Sequence, residues 1–230
     1  MNESKAKKEK RSKKIENKMK RKESRMNTKE LLPPYTMIVS EGTKTEPIYL
    51  RGFASKINEK YKDLVRENHI EVYGTGNNTN GLIRFVDRKR ANGDWAKFQK
   101  IWLVYDKDDF PLDNFDNTQF EAESRKDVSM SVAWSNESIE LWFVLHFQDY
   151  ISNNGRSQYI QILNNYLDYS KVREDLFDVL MEQGSLENAK RRARKAYDEF
   201  IKSGITAPSG MAPATRMFEL VEELQGYLQK

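Results

Sequence analysis

The 230-residue sequence contains no cysteine, which excludes disulfides, thiolate metal sites and cysteine nucleophiles together. No apolar stretch approaches the length of a membrane span, and the N-terminus lacks the apolar core of a secretion signal, so a cytoplasmic protein without membrane contact is expected. Neither a P-loop nor a dinucleotide fingerprint occurs, so any ATP hydrolysis must come from another chain. Internal repeats are also missing.

Charged residues make up 32% of the chain and the mean hydropathy is −0.83, polar for a globular protein. The 38% hydrophobic content and the many aromatics still allow a substantial core. The net charge of +4 conceals an asymmetry: residues 1–29 carry ten Lys and three Arg against four Glu, or +9, leaving −5 for the body. This segment has almost no apolar residues, and we expect residues 1–34 to be a basic, disordered tail. It reads either as a nucleic-acid arm or as a solubilising tail; the acidic body, which would repel a polyanion, favours the arm.

Two apolar runs end abruptly in carboxylates. Thr36-Met37-Ile38-Val39 reads as a strand buried on both faces and leads to Glu41, and Ile101 to Tyr105 leads to Asp106, Asp108 and Asp109. If the chain stays extended, Asp106 and Asp108 project together and Lys107 points away. Ligands of open α/β sheets bind beyond the carboxyl ends of the strands. Carboxylates gathered there repel one another and lose hydration, and a hard cation such as Mg2+ relieves both problems.

The rest reads in order. Gly42 permits a turn, Thr43 or Thr45 offers a cap, and Pro47 opens a helix with Tyr49, Phe53, Ile57, Tyr61 and Leu64 toward the core. A second strand, His69–Tyr73, leads through the Gly- and Asn-rich Gly74–Gly81, either a phosphate cradle or a plain loop, to a helix over Leu82–Arg90. Phe110 to Asp127 begins as a loop at Pro111 and becomes helix; Val128–Trp134 is a fourth strand. Ser135–Ser138 starts a helix over Ile139–Phe147. Helices follow at Gln158–Tyr166, Val172–Met181, Leu186–Lys202 and Thr215–Leu228, with a Pro/Gly loop at Gly204–Pro213. The expected fold is an α/β core over 35–150, a mostly parallel sheet flanked by helices, with a helical C-terminal region over 151–230 packed on it.

The strand with S-E-G-T-K-T-E (Ser40–Glu46), the strand with D-K-D (Asp106–Asp108), the segment S-N-E-S-I-E-L-W-F-V-L-H-F (Ser135–Phe147) and the ending A-P-A-T-R-M-F-E-L-V-E-E-L (Ala212–Leu224) together resemble the RloB-like proteins. Those are phage-defence proteins with a Toprim-type domain, usually encoded beside an ABC- or AAA-type ATPase. The chain departs from their pattern at Glu137, where Pro is usual, and at Ala212, where Asn is usual. The resemblance implies Mg2+, replaceable by Mn2+, held by Glu41, Asp106 and Asp108. It also implies phosphodiester cleavage of tRNA, another RNA or DNA, with Glu41 as ligand or general base.

Lys44 is a candidate contact to the scissile phosphate, and Glu140 a further catalytic candidate from the matching segment. His146 lies six residues on, about 600° around a helix, so the two do not share a face. Arg191, Arg192, Arg194 and Lys195 are dense enough to contact nucleic acid, although such runs are usually solvated faces. The readings weighed are a metal-dependent nuclease effector controlled by a partner ATPase, a non-catalytic nucleic-acid-binding or sensor subunit of such a complex, and a phosphatase forming a phospho-enzyme at Asp106. Self-association is compatible with each of them.

Overall fold

Uninterrupted apolar runs need cover on both faces, and the chain supplies it with helices on either side of one sheet. The computed structural model describes residues 13–20, 32–108 and 112–229. Residues 13–20 (α1) are an exposed helix within the first of two units, Met1–Pro33 with Lys230, and Lys20 pairs with Glu16 at 2.9 Å. Most of the tail expected over 1–34 lies outside the described residues, as do Asp109 and the loop start at Pro111.

Pro34–Gln229 form the second unit. Among the described residues its sheet has five strands, β1 (Thr36–Ser40), β2 (Ile70–Gly74), β3 (Lys100–Asp106), β4 (Ser129–Asn136) and β5 (Ala214–Thr215), in the order β2-β1-β3-β4-β5. The first four are parallel and β5 runs antiparallel to β4. Parallel neighbours require crossovers, which α2 (Thr45–Tyr61), α3 (Thr79–Ala91) and α4 (Leu112–Glu123) provide. The helical remainder comprises α5 (Glu140–Leu145), α6 (Gly155–Leu163), α7 (Leu176–Gln183), α8 (Leu186–Lys202) and α9 (Met217–Gln229). No helix among the described residues is long and apolar enough to cross a membrane.

One sheet face buries Met37, Val39, Leu103, Val132 and Trp134 against Leu82 and Val86 of α3 and Phe115 of α4. On α2, the spacing correctly selects Tyr49, Phe53, Ile57 and Tyr61 for the core, and α2 packs on α7 and α9. Gly52 permits the α7 contact, because a Cβ there would lie 2.0 Å from the Phe177 ring.

Several expectations change: the helix expected over Val172–Met181 begins only at Leu176, and Ser135 and Asn136, expected to start a helix, end β4. Leu64 lies beyond α2 and is 56% exposed, since the helix stops at Tyr61 before its periodicity reaches that residue. Neither Thr43 nor Thr45 caps α2: the cap position is Lys44, and the Thr45 hydroxyl donates to Lys171 O at 3.0 Å. Ala214–Thr215 pairs with the end of β4, whereas the expected last helix starts at Thr215, and α9 begins only at Met217.

Candidate active site

Parallel neighbours end at the same edge. Ser40 is in register with Val104, and the Glu41 amide donates to Val104 O at 2.9 Å, so Glu41 and Asp106 leave the sheet side by side. Asp108 arrives differently from the extended alternation expected. β3 ends at Asp106, and Asp108 has φ 42, a left-handed turn. The turn is held by the end of β4 and the loop after it: the Lys107 amide donates to Ser135 O at 3.0 Å, and the Asp108 amide to Glu137 O at 3.3 Å. Glu137 and Ala212, the two positions departing from the resembled pattern, both lie at cis peptide bonds, Asn136-Glu137 and Ala212-Pro213.

Two more carboxylates join. Glu140, 1% exposed, opens α5, and its Oε1 accepts from the Tyr169 hydroxyl at 3.0 Å with Lys171 Nζ at 3.8 Å. Its Oε2 has no hydrogen-bond partner. Glu46, in the first turn of α2, is 7% exposed and belongs to the same pocket. The pocket, about 250 Å3, is lined by Glu41, Glu46, Asp106, Asp108 and Glu140 together with Lys44, Lys171 and Arg156. Arg156 Nη2 lies 3.3 Å from Asp106 and pairs closely with Asp108, while Nε lies 3.5 Å from Glu140.

Sequence reasoning missed Glu46 and Arg156. Glu46 could have been found, because a carboxylate in the turn after a strand-end acid faces that acid's crevice. Arg156 has no local signal at all.

The acids are crowded enough to shift their titration. Burial, reinforced by Asp108, pushes Glu41 up to about 7. Burial and then Glu140 raise Glu46. Asp106 is raised well above the usual carboxylate range by burial and by Glu46, Glu140 and Asp108, with Arg156 opposing. A carboxyl raised on folding contributes stability that is full below its unfolded value near 4.5 and is lost as pH rises through about 7. In EDTA, the melting temperature of Glu41→Gln should therefore gain on the wild type as pH rises from about 4.5 to 7. Thermal melts in matched buffers check this, and a difference that stays flat or shrinks overturns it. The difference is the quantity to follow because His146, held near 3 by burial, has an opposite pH dependence common to both proteins.

The other candidates are dispersed. Lys44 is exposed at the pocket wall. His146 is 2% exposed and packs edge-on to Tyr49 and Trp142, a core histidine outside the pocket lining. In the Gly/Asn loop, the Thr75, Gly76 and Asn77 amides donate to Ser40 O, Glu41 O and Thr75 Oγ1, which leaves them engaged rather than cradling a phosphate. Asn78 caps α3 through the Gly81 amide at 3.0 Å, and the Thr79 hydroxyl reaches Glu41 Oε2 at 3.3 Å.

The basic run on α8 is divided between surface and interior-facing contacts. Arg192 donates to Leu145 O at 2.8 Å and pairs with Asp149, while Arg194 stacks over Phe218 and pairs with Glu222. Arg191, Arg194 and Lys195 are exposed. Arg192→Ala should accordingly cost about 1.5–3 kcal/mol in urea unfolding, the worth of a charge-assisted bond, and Lys195→Ala less than about 0.5 kcal/mol. Equal costs for the two would contradict this division.

No curated protein and no solved structure matches the chain at a significant level. The family model described as RloB-like protein matches residues 36–224, a span that contains the whole pocket. The chain therefore belongs to the RloB-like family.

Proposed function

We propose that the chain is a divalent-metal-dependent nuclease of Toprim type. The observation that carries this reading is the convergence of Glu41 and Asp106, from adjacent parallel strand ends, with Asp108 and Glu140 in one pocket. The RloB-like family is associated with abortive phage resistance. In that setting the chain is the effector, controlled by an ABC- or AAA-type ATPase of the same system.

The donor set fits Mg2+ or Mn2+ in kind: every acidic group is a hard oxygen ligand, and the buried Glu140 Oε2 lacks a hydrogen-bond donor. Its present arrangement belongs to Arg156, and among the described residues no three Asp, Glu or His side chains are grouped to hold a metal. Asp106 and Asp108 would hold the ion, with Glu41 as a further ligand or as the base. A bound ion would supply an activated water and charge neutralisation at the phosphate. Without a bound ion Glu41 is raised by burial and by Asp108, and a dication at Asp106 and Asp108 would lower it, favouring the ionised carboxylate that a ligand or base needs. Lys44 at the pocket wall would offset charge on the substrate.

The test incubates the purified chain, alone and with the co-expressed ATPase, with end-labelled tRNA, single-stranded RNA and duplex DNA in Mn2+ or EDTA. Cleavage of one substrate class in Mn2+ alone is expected. Folded wild-type protein that cleaves none of them in any combination would overturn the reading. The neutralisation of the acids by Arg156 favours a second reading, a non-catalytic nucleic-acid-binding or sensor subunit, in which salt-sensitive binding survives loss of Glu41, Asp106 and Asp108.

A further inference from the structure

Arg156 enters the acidic pocket from the first turn of α6 and touches three carboxylates that come from different elements. Two of these acids, Asp106 and Glu140, are anchored independently of it. Asp106 Oδ2 accepts from the Ile139 amide at 3.1 Å, and Glu140 Oε1 accepts from the Tyr169 hydroxyl at 3.0 Å. Their side chains are 8% and 2% exposed, whereas that of Arg156 is 29% exposed. Arg156 also follows an exposed run, residues 151–154.

Glu140 Oε2 is the oxygen this arrangement serves least. It is buried and has no hydrogen-bond partner, only the Arg156 Nε at 3.5 Å. A dication and a guanidinium cannot share the same oxygens, since positive charges a few ångströms apart in a poorly hydrated pocket repel strongly.

We propose that Arg156 is an exchangeable counter-cation, holding Asp106, Asp108 and Glu140 when no divalent ion is bound and yielding those oxygens when one enters. This inference rests on the metal-dependent reading above and adds a competitor to it. The chain thus keeps its acid cluster folded without metal, at the cost of apparent metal affinity.

Calorimetric titration of Mn2+ into the full chain and into Arg156→Gln tests it. Where the competent state is populated about one part in ten, removing the competitor tightens apparent binding about tenfold, the gain expected for Arg156→Gln. Metal-free Arg156→Gln should also melt below the wild type, with saturating Mn2+ closing the gap. Should Arg156→Gln fail to fold, Arg156→Lys serves: its compact ammonium loses the planar fork, and a smaller gain in the same direction is expected. Equal or weaker Mn2+ binding in the variants, with the wild type binding normally, overturns the exchange and leaves the metal reading intact. No binding in any of the proteins overturns both.

Discussion

Asp106→Asn is expected to reduce metal-dependent cleavage at least about a hundredfold while leaving the melting temperature equal to or above that of the wild type. The loss follows from the several kcal/mol of charge stabilisation that a positioned metal supplies, each 1.4 kcal/mol being roughly tenfold in rate. The retained fold follows from what Asp106 does in the structure. Its Oδ2 accepts the Ile139 amide at the start of α5, a service an asparagine carbonyl performs equally well. Its charge, in contrast, is opposed by burial and by Glu46, Glu140 and Asp108, so removing it relieves repulsion. Arg156 keeps Asp108 and Glu140 as partners. Cleavage assays read beside thermal melts separate the two effects. A folded variant that cleaves within about threefold of wild type would remove Asp106 from the chemistry, and with it the proposed nuclease, because threefold is under 1 kcal/mol.

Trp142→Ala should produce the second large effect, about 3–5 kcal/mol of lost stability. Trp142 is fully buried on α5, and its Nε1 donates to the Tyr49 hydroxyl at 2.8 Å, tying α5 to α2. Truncation leaves a cavity and also orphans a hydroxyl that is itself fully buried. Against the roughly 5–15 kcal/mol that holds a typical domain together, this loss is a large share. It reaches the pocket too, since Glu140 opens α5 and Glu46 lies in the first turn of α2. Trp142→Phe fills most of the volume and should cost about 1–3 kcal/mol, the penalty for the unpaired hydroxyl. Urea unfolding at 25 °C distinguishes the variants. An alanine variant losing less than about 1 kcal/mol would show that α5 is held by other contacts.

Much of the framework was legible in the sequence. Uninterrupted, largely apolar runs at Thr36–Val39 and Ile101–Tyr105 mark strands covered on both sides, and those strands, β1 and β3, are adjacent inner strands of the sheet. The 3.6-residue spacing on α2 selects its buried side chains, and the span of α8 coincides with its sequence pattern. Once two such strands are neighbours and parallel, Glu41 and Asp106 must emerge at one edge, so the heart of the candidate site follows from strand direction alone.

The remaining features depend on contacts between residues far apart in the chain, which leave no periodicity to read. Asp108 meets Asp106 across a left-handed turn held by the end of β4 and the loop after it, not through strand alternation. β5 is strand because two residues find the end of β4 unpaired. Arg192 looks like surface charge until α8 docks and gives it Leu145 O, while Arg194 stays exposed yet lies over the Phe218 ring. Arg156 lies fifty residues beyond Asp106, and only the folded chain brings its guanidinium among the acids. By itself the sequence determined most of the strand and helix segments, β5 excepted, and that two of them end in carboxylates, because burial writes its period into local composition. The tertiary structure alone decided which charges face those carboxylates, because an ion pair is set by distance in space and carries no local pattern.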